Sequence, residues 1–469
     1  MTMLIKGGTV VSTSGRRQLD VRIKDEKIIE MGCDLEANED EIIDASACYL
    51  FPVFIDGHTH LELENDLAAT SDNFVTGSQA AVAKGTTTII DMATPVRGSS
   101  LNNCLKTWNQ MAEGKASCDF NYHMSLIEWT PAIKAEVSEM IAQGITSFKM
   151  YMAYDAMRAS DAELFEAMKE IKKVGGILGV HCENGDVINQ LQKDYLQTGK
   201  VAPKYHPLSR PNVLEAEAIN RYLTIAGQVG LAVNIVHLST KESLEVVKRA
   251  RAKGQVVYVE TCPQYLLLED SLYDLPNFEG AKYVCAPPLR KTLDNEALWQ
   301  GVVNGDVQTI STDHCDFNFS NQKINGKGDF TKIPGGMPGV ETRPELIYTA
   351  GVMTEKISLE RFVGLLSEDI AKQFNMYPKK GVIQIGSDAD IVIWGPEQRD
   401  VISAKTQVTN CDYTPYEGFE TIGKAREVFL RGVKVAENGK VCKEKTGKFV
   451  FRKINEWNWS EKFGKNQMG

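Results

Sequence analysis

Between residues 53 and 311 the chain repeats one pattern: a short apolar run rich in β-branched residues, then a longer stretch of helix formers. Eight such runs stand out: Val53–Ile55, Thr86–Ile90, Phe120–Ile127, Ile145–Met150, Ile177–Val180, Ala232–Val236, Gln255–Val259 and Val307–Ser311. Asp161–Lys173 and Leu214–Ala226, lying between runs, carry helical spacing. A strand that is apolar along its length has both faces buried, as in a parallel sheet covered by helices. Eight strand–helix units predict an α/β fold, a (β/α)8 TIM-like barrel. A doubly wound open sheet is the alternative that pattern leaves open.

The two ends of the chain read differently. Leu4–Lys6 and Thr9–Val11 flank Gly7-Gly8, and Asp20–Lys24 alternates before a turn at Asp25–Lys27 and resumption at Ile28-Ile29. Near the other end, Asp390–Trp394, Val428–Leu430 and Gly432–Val435 precede an Asn438-Gly439 hairpin turn and Lys440-Val441. Each set is too small to be a stable domain, so one β domain built from both termini is expected. The expected boundaries are residues 1–50 with 380–442 for the β domain, 51–379 for the barrel and 443–469 for a C-terminal tail. Residues 443–465 of that tail hold six Lys and one Arg against three Glu, with aromatics at Phe449, Phe451, Trp457, Trp459 and Phe463. A solvated charged tail is expected, its aromatics packing on the chain or on a neighbouring subunit.

Composition narrows the function classes. Hydrophobic residues make up 43% and charged residues 24% of the 469, as in a globular protein. The net charge of -10 opposes binding to phosphate backbones, so nucleic acid is not an expected partner. The chain has no apolar stretch of about 18 residues, and no membrane span is expected. No basic region followed by an apolar one opens the chain, and the ten cysteines are scattered without a CxxC pair. A cytoplasmic enzyme with reduced thiols is the expected class.

The histidines carry the chemistry. His58 and His60 follow the first run in Asp56-Gly57-His58-Thr59-His60, and residues two apart in extended backbone share a side. His181 follows Ile177–Val180, His237 follows Val233–Val236, and Asp313 follows Thr309–Thr312. In a barrel these strand ends converge on the face where active sites lie. Lys149 ends its run in the same way, and a lysine there needs a partner or a chemical change, because burying the cation is costly. Four His and one Asp exceed the ligand set of a single catalytic zinc with an open position; they suit two metals sharing a water. His123, His206 and His314 are expected to be structural, since strand alternation points His314 away from Asp313.

These residues resemble the amidohydrolase superfamily in its cyclic amidase branch. Lys149–Tyr154 (KMYMAY), His181–Asp186 (HCENGD), Ala202–Pro211, Glu260–Tyr265, Pro287–Arg290 and Thr312–Cys315 resemble motifs of the dihydropyrimidinase and D-hydantoinase family, in the same order. Gly386–Val392 resembles the return into that family's β domain. The resemblance implies a barrel with a β-sandwich domain from both termini, and two divalent metal ions, expected to be zinc. It implies that His58, His60 and Asp313 hold one metal, that His181 and His237 hold the other, and that Lys149, N6-carboxylated (carbamylated), bridges both. It further implies hydrolysis of a dihydropyrimidine or 5-substituted hydantoin to an N-carbamoyl amino acid by a metal-bridging hydroxide. In that scheme Tyr154 stabilises the oxyanion and Asp313 carries the proton. Tyr151, Tyr154, Leu63, Ala286 and Gly335 are the expected substrate contacts, the last two through backbone atoms. A homotetramer is expected.

The chain also departs from the family. Ala286 stands where a serine is usual, and Gly335 where an asparagine is usual; a glycine there predicts a more flexible loop. Leu61–Asp66 is more acidic than the apolar loop expected there. If solvent-facing it is a lid; if pocket-facing it disfavours anionic substrates. An allantoinase-like hydrolase of another cyclic ureide and a non-catalytic scaffold related to dihydropyrimidinases are the alternatives. Dihydroorotase is disfavoured, because Leu61-Glu62 stands where an arginine for the substrate carboxylate is common.

Overall fold

The computed structural model describes residues 2–454. Its central sheet has eight parallel strands in sequential order: Phe54–Thr59, Thr86–Ala93, Asp119–Ser125, Ser147–Tyr151, Ile177–His181, Val233–Ile235, Val257–Thr261 and Thr309–Ile310. Each coincides with one of the eight apolar runs. The first five are buried at every position, so the runs are apolar because neither face meets water. Helices cover the outside, including Asp161–Lys173 and Asn212–Val229. Ser160 and Glu163 form a reciprocal cap that starts the first of these, and Gly230 ends the second in the left-handed region.

Side chains close the barrel. The eighth strand has two residues, and a single Thr59–His314 bridge joins its far end to the first strand. Fully buried Arg343 donates to Ile55 O at 2.8 Å and to Ile310 O at 2.9 Å, across that seam. Buried Asp56 crosses it in the other direction, accepting from Thr312 Oγ1 at 2.7 Å and from Thr312 N at 3.1 Å.

The β domain draws on both ends of the chain. A four-stranded sheet holds Lys27–Gly32, Asp20–Lys24, Thr2–Lys6 and Glu41–Asp44. A seven-stranded sheet joins Gly15–Gln18, Thr9–Ser12 and Tyr49–Pro52 to Ile391–Val401, Glu420–Leu430, Val433–Glu437 and Lys440-Val441. Ile5, Val21, Ile23 and Ile28 of one sheet and Leu50, Ile391, Ile393 and Phe429 of the other share one apolar cluster, the filling of a sandwich. Asn438 and Gly439 both have positive φ, as the hairpin between the last two strands requires.

Residues 443–454 keep Lys443, Lys445, Lys448 and Lys453 exposed and pack Phe449 on the chain, as expected of the tail, but they are also fastened to the barrel through their backbone and Arg452. They run beneath the barrel: Lys448 O accepts from Phe120 N and Val450 N donates to Phe120 O, while the Phe449 ring packs on Phe120 and Tyr122. Arg452 is fully buried and donates to Ser147 Oγ at 3.0 Å and to Tyr122 O at 2.7 Å. Phe451 is exposed, and Trp457, Trp459 and Phe463 lie outside the described residues. Beside this strap, buried Lys380 meets Asp119, Asp388 and Asp390 at 2.5–2.9 Å, tying the third barrel strand to the entry of the β domain.

Arg343→Met strands Asp56 without its cation and frees two strand carbonyls. It is expected to destabilise the protein by about 3–5 kcal/mol, read as a lower denaturant midpoint. An unchanged midpoint would show that the backbone alone closes the seam.

Candidate metal centre and active site

The barrel brings six sequence-predicted side chains to the carboxyl ends of five strands. His58 and His60 come from the first strand, Lys149 from the fourth, His181 from the fifth, His237 from just past the sixth and Asp313 from just past the eighth. His58 Nε2 lies 3.2 Å and His60 Nε2 3.1 Å from Asp313 Oδ1, so these three can hold one ion. His181 Nδ1 lies 3.1 Å from His237 Nε2. The rings of His58 and His237 stand 5.5 Å apart, which joins the two groups into one cluster.

Carboxylates behind the ligands decide what the cluster can do. His58 Nδ1 sits 2.7 Å from Glu260 Oε1, and His181 Nε2 sits 2.7 Å from Glu183 Oε2. Each carboxylate takes the ring's N–H, so the opposite nitrogen presents a bare lone pair to the site. Burial, in addition, pushes the pKa values of His58, His181 and His237 down, which keeps the rings neutral. The His58 lone pair then faces a carboxylate oxygen, and buried Nε2 has no hydrogen-bond partner among the described residues. Two acceptors at that separation repel each other unless a cation lies between them. Tetrahedral ligands with bonds of about 2.0 Å stand roughly 3.3 Å apart, close to the spacings seen here. The donor set therefore fits a divalent metal.

Lys149 is buried, with its ammonium 5.5 Å from the centre of the Tyr151 ring. Burial pushes its pKa down to about 8, against the pull of Asp313 and Glu260. The lowered pKa enlarges the fraction of neutral, nucleophilic amine, the form that N-carboxylation by carbon dioxide requires.

Tyr154 lies in the loop just past the fourth strand and reaches the cluster. Its ring stands 4.9 Å from that of His181, and its backbone has φ 65°. Burial raises the phenol pKa, so the hydroxyl remains a donor at neutral pH. His237 and Asp313 also have positive φ, at 39° and 54°. Three non-glycine residues in that region, each costing roughly 1–2 kcal/mol, put backbone strain at this site.

The HCENGD motif can now be read residue by residue. His181 points into the cluster and Glu183 orients it. Asn184 caps the helix Gly185–Gln197 through Val187 N, and Gly185 lets that helix approach Ala153, where a Cβ would lie 3.0 Å from Ala153 Cα. Buried Arg210 pairs with Glu183, and its guanidinium lies 5.9 Å from the Tyr154 ring. Burial alone would raise the Glu183 pKa, but Arg210 and His181 hold it well below the usual carboxylate range. Sequence reasoning assigned no role to Glu183, Glu260 or Arg210. Glu260 was detectable, since it ends an apolar strand as His237 does.

The predicted substrate contacts lie in the surrounding loops. Tyr151 is buried at the end of its strand, with its hydroxyl 3.4 Å from Ser125 Oγ. Ala286 is half-buried; next to it, Cys285 O accepts from His206 Nε2 at 2.7 Å. Gly335 faces solvent, and a Cβ there would meet only Cys285 Cα, at 4.0 Å, so an asparagine would fit. The expected looseness of that loop is countered at Gly336. Its N–H donates to Val284 O at 2.9 Å, and a Cβ there would collide with Cys315 O. Leu63 is half-buried at the base of a short hairpin closed by a Glu64–Ala69 bridge, while Glu64, Asn65 and Asp66 are exposed at its tip. Glu64 and Asp66 thus face solvent, while half-buried Glu62 accepts from Phe74 N. His123 donates to Gly57 O at 2.9 Å, and both His123 and His206 serve structural roles, as expected.

Comparison with known proteins places this arrangement. The model of the Amidohydrolase family matches residues 49–435. The D-hydantoinase of Geobacillus stearothermophilus is 43% identical over 455 residues, covering 96% of this chain and 97% of that protein. A D-phenylhydantoinase of Escherichia coli is 39% identical over 457 residues, covering 97% of this chain and 98% of that protein. The crystal structure of dihydropyrimidinase from Brevibacillus agri superposes with a TM-score of 0.96 at 41% identity, covering 97% of this chain and 99% of that one. The chain belongs to the amidohydrolase family, in its D-hydantoinase and dihydropyrimidinase branch.

Proposed function

We propose that this chain hydrolyses the ring amide of a dihydropyrimidine or a 5-substituted hydantoin, releasing an N-carbamoyl amino acid. The observation that carries this reading is the convergence of His58, His60, Lys149, His181, His237 and Asp313, with Glu260 and Glu183 setting the tautomers of two of them. Six ligand positions filled by metal-binding side chains favour an enzyme over a scaffold. The hydantoinase and dihydropyrimidinase names of the relatives favour these rings over allantoin.

His58, His60 and Asp313 would hold one divalent ion and His181 and His237 the other, with N6-carboxylated Lys149 between them. Zinc suits the His and carboxylate donors. When bound, such ions lower the pKa of water and polarise a carbonyl. The remaining roles belong to the chain. Backbone atoms at Ala286 and Gly335 hold the ring amide, and the Leu63 hairpin and Tyr151 border the ring substituent. The Tyr154 hydroxyl donates to the carbonyl oxygen as negative charge develops there. Asp313 takes the proton of the attacking water and delivers it to the leaving ring nitrogen.

The protein is proposed to be a cytoplasmic homotetramer acting on small molecules. All ten cysteines are free, and no helix among the described residues is long and apolar enough to cross a membrane.

Ring opening is the direct test. Protein loaded with zinc and bicarbonate should open dihydrouracil or 5-phenylhydantoin faster than allantoin or dihydroorotate. Faster turnover of allantoin would favour the ureide reading, and no turnover with two metals bound would refute both. Asp313→Asn should keep metal yet lower turnover by about 100-fold or more. Lys149→Ala should bind less metal, restored by a short carboxylic acid. Glu260→Gln should weaken metal affinity by roughly 10–100-fold, measured by competition with a chelator; unchanged affinity would remove Glu260 from the role of orienting His58.

A further inference from the structure

His314 follows Asp313 directly, and nothing in the chemistry above uses it. Its ring is wholly buried. Nδ1 accepts the backbone N–H of Gly339 at 3.1 Å and, more weakly, that of Val340 at 3.4 Å. Nε2 lies 3.3 Å from Asp72 Oδ2 and 3.4 Å from Asp316 Oδ1, an electrostatic contact with both carboxylates and an aligned hydrogen bond to neither.

These three side chains have the spacing of a cation site, with all ligand atoms within 4.8 Å. The tautomer argues against that role. A neutral ring whose Nδ1 accepts carries its proton on Nε2 and has no lone pair there for a metal. His58 is the opposite case, with Nδ1–H given to Glu260 and Nε2 bare.

The partners of His314 belong to separate loops of the site. Asp72 ends the segment that begins at His60 and carries the Leu63 hairpin; its carboxylate also accepts from Asn410 N at 2.9 Å and from Thr409 Oγ1. Asp316 accepts the Asp72 N–H at 3.1 Å. Gly339 closes the loop that carries Gly335. The His314 carbonyl accepts the His60 N–H at 2.8 Å, and its own N–H donates to Thr312 Oγ1 at 3.0 Å.

We propose that His314 is a positioning residue: through Gly339 and Asp72 it holds the Gly335 loop and the Leu63 hairpin in register with Asp313. The proposal builds on the ring-amide hydrolase reading above.

The test uses full-length, zinc-loaded His314→Gln and His314→Leu and reads three quantities. Bound metal per chain should equal that of the parent. Amide exchange at Gly339 and Val340 should accelerate by about 10-fold or more. KM for the ring substrate should rise by about 10–100-fold with a smaller change in kcat. Unchanged exchange at Gly339 and Val340 overturns the proposal even if the parent opens no ring, which separates its failure from failure of the hydrolase reading. Metal loss in step with activity also overturns it, since His314 would then act through the ligands. Should His314→Leu fail to fold, Asp72→Asn provides a second route. Combined with His314→Gln it should add little to the single change, whereas fully additive effects would mean that the two side chains act independently.

Discussion

Arg343 reaches across the seam between the first and eighth strands and donates to a carbonyl on each side, where the backbone ladder shrinks to one bridge. Asp56 spans the same seam through Thr312. His58 and His60 leave the barrel on one side of this junction and Asp313 on the other. The 3.1–3.2 Å approach of their ligand atoms therefore depends on how the barrel closes. Two buried, oppositely charged side chains do here what a longer eighth strand would do with main-chain hydrogen bonds. The short strand leaves residues 311–316 free to take the turns, including positive φ at Asp313, that aim three consecutive polar side chains at different partners.

A second constraint is the placement of protons. Three histidines near the centre, His58, His181 and His314, each commit one nitrogen to a fixed partner, and the choice of partner decides what the other nitrogen can do. A carboxylate behind the ring, as for His58 and His181, leaves a lone pair facing inward. An amide N–H behind the ring, as for His314, leaves a donor facing outward. The same side chain is thus a ligand or a strut according to whether its neighbour accepts or donates.

Much of this was legible in the linear chain. The eight runs could be read because burial on both faces removes polar residues from strand interiors. The ligands could be read because polar residues reappear at the strand ends. What escaped depends on pairs that are distant in sequence. His58 and Glu260 are 202 positions apart, and no local pattern pairs them. Alternation rightly turns His314 away from the metal cluster, but it does not reveal that Asp72 and Gly339 wait on the other side. The strap at 443–454 looks solvated by charge, yet Arg452 is buried because a backbone carbonyl and a serine hydroxyl take its N–H groups. Gly335 suggested a loose loop, whereas its neighbour Gly336 is clamped between Val284 and Cys315.

The divided β domain sets an order on synthesis. The sheet holding Ile5, Val21, Ile23 and Ile28 is made first, but the strands that cover its apolar face, Ile391–Val401 and Glu420–Leu430, emerge about 340 residues later. At 5–20 residues per second the ribosome needs roughly 20–70 s to cross that gap. Throughout it, Val10 and Leu50 are the early-made residues of the second sheet that can cover this face, and the rest of it stays open beside the folding barrel. The sandwich core is completed only when Ile391, Ile393 and Phe429 arrive, so the interval of greatest apolar exposure closes as the last β strands leave the tunnel.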